Sequence, residues 1–279
     1  MIVDAHHHFW DPARADYPWL TDELASIRRP FTPDDLAPLL KATGVDATVL
    51  VQTRSSLDET REFLATAAAT PFIRGVVGWV DLTDPGVGDT IAALRAGPGG
   101  DRLVGIRHQA HDEPDPDWLL RDDVGRGIRA VRDAGLVYDL LVRPRELPAA
   151  LTLARREPET RFVIDHIAKP PIRRGALQPW ADRIGAFATL EHVACKVSGM
   201  VTEADWQRWQ PADVSPYVDH ILEVFGPRRL VFGSDWPVCL LAAGYEHVIG
   251  LARETLGGLD EDDMAAVFGG TAAEVYRLG

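Results

Sequence analysis

Short apolar runs recur along the chain, and amphipathic segments separate them. The runs are rich in β-branched residues, and strands that are apolar on both faces are typical of a parallel sheet covered by helices. We predict eight strands, at residues 2–5, 47–51, 73–80, 103–106, 136–142, 161–164, 193–197 and 230–232. Their spacing is close to the roughly 30-residue pitch of a βα unit. The pattern therefore predicts an α/β fold, a (β/α)8 TIM barrel.

Helix start and stop signals occupy the segments between these runs. Four helix starts are predicted where an N-cap residue is followed by proline or, three positions later, by glutamate: Thr32, Ser56, Ser215 and Thr271. Gly44 and Gly226 predict two helix ends, and residues 117–133 form the longest helical pattern. No linker rich in Gly, Ser or Pro divides the chain, so we predict a single domain over residues 1–279.

The segment between the first strand and the first helix is long and has no periodic pattern. Residues 9–31 include Trp10, Tyr17 and Trp19. Loops longer than about 12–15 residues are usually functional or disordered, and the aromatic residues argue against disorder. We expect a wall or lid of a pocket, with a packing loop that makes no substrate contact as the alternative.

Polar residues follow nearly every predicted strand. Catalytic groups of a (β/α)8 barrel lie at the carboxyl ends of its strands. In chain order, the residues at these positions are His6 and His8, Gln52, Asp81, Arg107 and His108, Arg143, Asp165, His166 and Lys169, Ser198, Asp235 and Trp236. This distribution predicts one active site at that face of the barrel.

His6 and His8 are the first candidates for chemistry. Side chains alternate along a strand, so these two imidazoles share a face and His7 lies on the other. The alternative is a polyhistidine tag remnant or a surface cluster. A tag would have about six histidines and would lack an apolar, strand-forming lead-in.

Closure of the barrel would bring Asp235, after strand eight, beside the two histidines of strand one. Together with His166 they form a ligand set suited to Zn²⁺. Asp235 could instead remove a proton from water as a general base. The structural alternatives are an N-cap role for Asp235, a tautomer-fixing pair within Asp165-His166, and surface ion pairs for Arg107 and Lys169.

Composition limits the other partners. The 279 residues carry a formal net charge of −13, which argues against nucleic acid. Two cysteines make no disulfide framework, no apolar run approaches the roughly 18 residues of a membrane span, and no secretory signal precedes His6. We therefore expect a cytoplasmic protein that binds a small molecule and no membrane. The oligomeric state stays open, with a homodimer as the commonest arrangement.

Five sequence blocks resemble the amidohydrolase superfamily, and within it the amidohydrolase-related lactonases. They occur in the same order nearly end to end: DAHHHFW at 4–10, GIRH at 105–108, DHIAKP at 165–170, KVSG at 196–199 and FGSDWP at 232–237. The resemblance implies a distorted (β/α)8 barrel that hydrolyses a cyclic ester. It matches His6 and His8 to the first-strand pair, His166 to the histidine of the Asp-His block, and Asp235 to the acid that activates water.

The resemblance also implies the remaining roles. No lysine stands at the end of strand four or five, so a binuclear centre is not expected. One divalent ion, Zn²⁺, is expected, and a reaction without metal is left open. Arg107 and Lys169 would bind a carboxylate or ring oxygens, and the indoles of Trp10 and Trp236 would stack on a sugar ring. Gln52 and His108 complete the predicted substrate contacts.

Three functions follow as hypotheses. The first is a lactonase for a sugar-acid lactone such as fuconolactone or rhamnonolactone. The second is a metal-dependent, non-oxidative decarboxylase of an aromatic or muconate-type acid, in which the same ligands polarise the substrate. The third is a non-catalytic barrel that binds a sugar or an acid, which would need no Asp235 beside three histidines.

Overall fold

The computed structural model describes all 279 residues and confirms the (β/α)8 barrel. Eight parallel strands each pair with the next along the chain. They are β1 (Val3–His7), β2 (Ala47–Val51), β3 (Ile73–Gly78), β4 (Leu103–His108), β5 (Val137–Leu140), β6 (Phe162–Ile164), β7 (Val193–Val197) and β8 (Leu230–Phe232). All eight predicted strands are present, and β2, β7 and β8 have the predicted bounds.

Hydrogen bonds just beyond β8 close the barrel against β1. The amide of His8 donates to the carbonyl of Trp236 at 2.7 Å, and the amide of Asp235 donates to the carbonyl of His6 at 2.8 Å. The buried Asp4 carboxylate of β1 accepts from the Ser234 amide at 2.8 Å and from its hydroxyl at 2.6 Å. The carboxyl end of the first strand and the residues that follow the last strand therefore meet at the face where the predicted active site lies.

Eleven α-helices surround the strands: α1 (Pro33–Thr43), α2 (Leu57–Ala69), α3 (Val87–Ala96), α4 (Asp122–Asp133), α5 (Leu147–Arg156), α6 (Trp180–Gly185), α7 (Met200–Glu203), α8 (Pro211–Phe225), α9 (Tyr245–Thr255), α10 (Glu261–Ala265) and α11 (Thr271–Val275). A π-helical turn, Ala266–Gly270, joins the last two. Short 3-10 helices lie at Asp22–Ile27, Gly100–Arg102, Ala110–Asp112, Trp118–Leu120, Asp165–Ala168, Ile172–Arg174, Pro227–Arg229 and Val238–Leu241. None of the helices combines the length and apolar character needed to cross a membrane.

The helix starts at Thr32 and Ser56 are confirmed, and the one at Ser215 is wrong. Helix α11 does begin at Thr271, but Thr271 is its first residue and not its N-cap. Helix α8 already begins at Pro211, where the Asp213 carboxylate accepts from the amide of Gln210 at 2.8 Å, so Ser215 lies inside it. Thr271 directly follows the π-helical turn Ala266–Gly270, so the N-cap of α11 is Gly270.

The pattern at 117–133 was also too long. Arg121 has an extended backbone, with φ −63° and ψ 141°, so a 3-10 turn precedes α4.

The interior has two layers along the strands. A small apolar layer includes Val137, Val163 and Ala194. Side chains two positions further on point to the same side of a strand, and at these positions stand Asp139, Asp165 and Lys196. The apolar layer therefore supports a layer of buried charges, and that layer lies beneath the predicted site.

Candidate active site

Four titratable side chains converge where the barrel closes. Nε2 of His6 lies 3.2 Å from Nε2 of His8, and Oδ1 of Asp235 lies 3.4 Å from Nε2 of His8. The same carboxylate oxygen is 3.9 Å from Nε2 of His6 and 3.8 Å from Nε2 of His166. All four residues are buried. The structure thus brings together the four residues for which the sequence predicted chemistry.

Two of these four residues have an unusual backbone. Asp235 has φ +57°, and His166 begins a run of four left-handed residues that ends at Lys169 with φ +49°. A left-handed conformation costs a non-glycine residue about 1–2 kcal/mol. The indole Nε1 of Trp180 donates to the carbonyl of Ile167 at 2.7 Å and holds the turn in place. Strain maintained in this way is typical of functional sites.

Neighbouring groups determine which nitrogen of His8 carries the proton, and they place a donor at each nitrogen of His6. Nδ1 of His8 lies 2.7 Å from the carbonyl of Val51, which can only accept, so the lone pair of His8 is on Nε2. A guanidinium nitrogen of Arg107 lies 3.2 Å from Nε2 of His6 and can only donate. The Lys196 ammonium, which also can only donate, lies 3.1 Å from Nδ1 of His6, and the Asp165 carboxylate lies 3.4 Å from the same nitrogen. Both ring nitrogens of His6 therefore face a cationic donor.

The donor set fits a divalent metal ion. Nε2 of His6 and Nε2 of His8 face each other at 3.2 Å, and both are atoms that can bind a metal ion. Tetrahedral Zn²⁺ with bonds of about 2.0–2.1 Å requires ligand atoms roughly 3.3 Å apart, close to the separations among His6, His8 and Asp235. The Arg107 guanidinium competes for the lone pair of His6, so a bound ion would have to displace that contact.

A second possible ligand group consists of His6, Asp165 and His166. It fits less well because the Asp165 carboxylate is already paired with two cations. Its Oδ2 accepts from Arg107 at 2.8 Å, and its Oδ1 lies 2.9 Å from the Lys196 ammonium.

Burial and neighbouring charges set the protonation of the cluster. Burial lowers the pKa of His6 and of His166 well below the ordinary value, so both rings are neutral at pH 7. Burial alone would raise the pKa of Asp235, but the neighbouring His166 and His8 hold it below the usual range. The site therefore pairs neutral imidazoles with an ionised carboxylate.

A layer of buried charges lies behind the cluster. The Lys196 ammonium is fully buried and contacts the carboxylates of Asp139 and Asp165 at 2.5 and 2.9 Å. The Tyr276 hydroxyl donates to Asp139 at 2.9 Å. Burial would raise the pKa of Asp165, but Lys196, His6 and Arg107 together hold it well below the ordinary range. Each buried charge thus has an opposite charge as partner.

A cavity of about 280 Å³ opens onto the cluster. Its lining includes His8, His166 and Asp235, and Trp19 and Leu24 of the long first loop also line it. The prediction that this loop forms a pocket wall is confirmed. A larger cavity of about 450 Å³, between the same loop and α2, contains none of the clustered residues.

The cations of the small cavity each have an acidic partner. Besides the Arg107–Asp165 pair, the Lys169 ammonium lies 2.8 Å from a carboxylate oxygen of Glu203. The guanidinium of Arg143 lies 4.0 Å from the carboxylate of Asp112. Arg107 and Lys169 thus have close acidic partners, whereas Arg143 is exposed and makes no hydrogen bond to Asp112.

Four of the residues predicted to contact substrate do not line this cavity. Trp10 donates from its indole to the carbonyl of Ile27, and Trp236 packs edge-on against Phe31. The Gln52 amide donates to the carbonyl of Arg107 at 3.2 Å.

The fourth residue is His108, which stacks on Trp118 with ring centroids 4.2 Å apart. Its Nε2 lies 2.7 Å from the Glu113 carboxylate. These four residues thus make contacts within the protein outside the small cavity, and their contact with a substrate stays a prediction.

Sequence reasoning assigned no role to Asp139, Lys196 or Tyr276. A signal was present, because Asp139 and Lys196 are single charged residues within apolar strands, and charges buried in this way are almost always paired. That these two residues pair with each other could not be predicted from the sequence, because Asp139 and Lys196 are 57 positions apart.

Comparison with known proteins gives concordant results. The amidohydrolase family model matches residues 3–278. An L-fucono-1,5-lactonase of Burkholderia multivorans is 40% identical over 289 residues, which cover 100% of this chain and 96% of that protein. An L-fucono-1,5-lactonase of Burkholderia ambifaria is also 40% identical, over 99% of this chain and 95% of that protein. A crystal structure of a Burkholderia multivorans amidohydrolase with bound zinc superposes with a TM-score of 0.95, at 38% identity over 100% of both chains.

Proposed function

Because the chain belongs to the amidohydrolase family, we propose that it is a lactonase, a carboxylic ester hydrolase that opens the ring of a small sugar-acid lactone. The observation that carries the proposal is the convergence of three imidazoles on the Asp235 carboxylate, in a cluster from which His8, His166 and Asp235 line one small cavity. The two relatives named L-fucono-1,5-lactonase support the same reaction. A lactone of fuconic acid or a similar aldonic acid is the substrate that we infer.

The lining of the cavity favours an uncharged substrate. Its volume of about 280 Å³ lies at the lower end for ligand pockets and suits a single monosaccharide-sized ring. Because Arg107 and Lys169 are paired with acids, they can donate hydrogen bonds to hydroxyl groups without adding a free positive charge. Leu24, Leu141 and Val238 offer an apolar surface to the carbon face of a sugar.

We assign Asp235 as the general base. It is ionised at neutral pH, and imidazoles are its only titratable partners within 4 Å. The carboxylate takes a proton from water, whose oxygen attacks the ring carbonyl carbon. The bond between that carbon and the ring oxygen then breaks, and the ring oxygen receives the proton from Asp235. The product is a hydroxy acid.

His6, His8 and His166 would hold a single divalent ion through their Nε2 atoms, with Asp235 Oδ1 completing the set. Such an ion, Zn²⁺ in this proposal, would polarise the ring carbonyl and lower the pKa of a nearby water. The lone pair on Nε2 of His8 cannot donate a hydrogen bond to a developing oxyanion, so this ring acts by holding the cation. The zinc in the solved relative supports this assignment.

The decarboxylase alternative is not favoured. Its aromatic or muconate-type substrate carries carboxylates, which would need an unpaired cation in the cavity. Two of the three cations that line the cavity, Arg107 and Lys169, each pair with a carboxylate at 2.8 Å, and the relatives at 40% identity are named lactonases. The non-catalytic alternative leaves the buried, ionised Asp235 beside three imidazoles without a role.

A substrate panel tests the proposal. Purified protein is mixed with aldono-1,5- and 1,4-lactones, and acid release is followed with a pH indicator after subtraction of spontaneous hydrolysis. We expect fast opening of a neutral 1,5-lactone, loss of activity after chelation, and recovery with Zn²⁺. In parallel, carbon dioxide release from aromatic acids is measured. Carbon dioxide release without lactone opening would refute the proposal.

A further inference from the structure

Trp19 is the one tryptophan that lines the small cavity. The sequence predicted stacking on a sugar for Trp10 and Trp236, and the structure places both of these residues outside that cavity. Trp19 is only half-buried, and it lies in the long first loop, which forms part of the cavity wall. The proposed reaction assigns no role to this exposed aromatic surface.

Two aromatic neighbours hold the Trp19 indole in place. The rings of Trp10 and Tyr17 meet it edge to face, with centroids 5.0 and 6.3 Å away and interplanar angles of 85°. Trp10 is itself fixed, because its indole nitrogen donates to the carbonyl of Ile27 at 3.1 Å. The indole N–H of Trp19 has no partner in the protein, so the ring contacts set its orientation. A ring positioned in advance loses little freedom when a ligand packs against it.

The barrel separates apolar from polar groups across the cavity. Its strands follow one another in sequence order, so the segments after β1 and β8 lie opposite the ends of β4 and β5. Apart from the clustered residues, the first pair of segments contributes apolar side chains: Trp19, Leu24 and Val238. The ends of β4 and β5 contribute, besides Leu141, only polar side chains: Arg107, Gln109, His111, Asp112 and Arg143. A bound ring therefore meets an apolar wall on one side and hydrogen-bonding groups on the other.

We propose that Trp19 is a substrate-binding residue whose indole packs against the carbon face of the lactone ring, with the ring hydroxyls directed to the opposite, polar side of the cavity. The inference rests on the proposed function, which supplies the sugar-like ring. An aromatic side chain offers a large, rigid apolar area for such a contact. Because the contact forms in the ground state and persists in the transition state, it lowers KM and leaves kcat unchanged.

The competing explanation is that Trp19 only closes the cavity against solvent. Trp19→Leu separates the two, because leucine keeps an apolar wall and removes the aromatic face. We expect KM for a neutral 1,5-lactone to rise about tenfold, which corresponds to about 1.4 kcal/mol, with kcat nearly unchanged. Trp19→Phe keeps an aromatic ring and should raise KM less.

Trp206→Leu and Trp206→Phe are the matched controls. Trp206 is also half-buried, but its indole nitrogen donates to the carbonyl of Thr202 at 2.9 Å and it does not line the cavity. Both control variants should keep the wild-type KM. All rates are compared at equal concentrations of folded protein, so that a loss of stability is not counted as a loss of binding.

A binding measurement tests the contact without turnover. Wild-type protein labelled with 5-fluorotryptophan carries one fluorine on each of its eight tryptophans. The Trp19→Phe and Trp206→Phe variants assign two of the ¹⁹F resonances by their loss. The probe is L-fucono-1,5-lactam, in which an N–H group replaces the ring oxygen. Its addition should shift the Trp19 resonance and leave that of Trp206 in place.

Two results would each overturn the proposal while the proposed function stands. One is a stationary Trp19 resonance when titration calorimetry shows that the lactam binds, and the other is a wild-type KM in Trp19→Leu. Absence of both lactone opening and lactam binding in the wild-type protein would refute the proposed function, and the role of Trp19 with it.

Discussion

Asp235 differs from the other buried carboxylates near the site in its partners. Asp165 is paired with Arg107 and Lys196, and Asp4 accepts hydrogen bonds from Ser234 and Tyr245. Asp235 faces only imidazoles and the cavity. A carboxylate that is ionised and has no lysine or arginine partner is able to accept a proton from a substrate water.

The substitution Asp235→Asn tests this difference. We expect a folded protein in which lactone hydrolysis is reduced by roughly 10²–10⁴-fold, the usual contribution of a general base. Asp81→Asn serves as control, because Asp81 also follows a strand but is exposed and bonds to Thr83. Near-normal turnover by Asp235→Asn would remove Asp235 from the mechanism.

At the scale of elements, the junctions between strands and helices position the catalytic groups. Gly199, between β7 and α7, has φ +65°, and a Cβ added there would lie 2.6 Å from Nδ1 of His166. Gly44, which ends α1, has a similar φ of +71° with open space around it. Both glycines thus need a left-handed backbone, and only Gly199 lies against a residue of the site.

Alanine substitution at both positions separates strain from function. Each variant should lose about 1–3 kcal/mol of stability, because alanine is strained at positive φ. Only Gly199→Ala should also lose activity, by about 10²-fold, because His166 must move. Stability is measured by urea unfolding. Activity is measured as initial rates at saturating substrate, with equal concentrations of folded protein. Equal activity in the two variants would show that the position of His166 does not matter.

At the scale of the whole molecule, side chains distant in sequence lock the barrel. The Tyr245 hydroxyl of α9 donates to the Asp4 carboxylate of β1 at 3.1 Å, and Ser234 bonds to the same group. These contacts join the first strand to the last part of the chain. They also hold His6, which lies two positions after Asp4, and Asp235, which directly follows Ser234.

Removal of one of these hydroxyls should loosen the closure. Tyr245→Phe is expected to cost about 1–3 kcal/mol, because the buried carboxylate loses a hydrogen bond. Tyr217→Phe is the control, since that buried hydroxyl has no partner in the structure, and it should cause no loss. Urea midpoints at equal slope compare the two. Equal midpoints would mean that the Tyr245 contact does not stabilise the fold.

Local signals in the sequence were sufficient for the elements that depend on near neighbours. Thr32 and Gly44 bound α1 as predicted, because capping and left-handed glycine are properties of a few adjacent residues. Ser215 failed because a stronger start signal, Pro211 with Asp213, lies just before it. Where two local signals compete within one helix, the sequence alone does not decide between them.

The sequence by itself determined the barrel and the meeting of His6, His8, His166 and Asp235. Eight apolar runs at a regular pitch permit one parallel closed sheet, and its closure brings the ends of the first and last strands together. Only the tertiary structure decided which polar residues face the cavity, and it buried Trp10 and Trp236 in packing contacts. It also paired Lys196 with Asp139 and Asp165, because partners across a barrel depend on strand tilt and register, and no spacing along the chain records these.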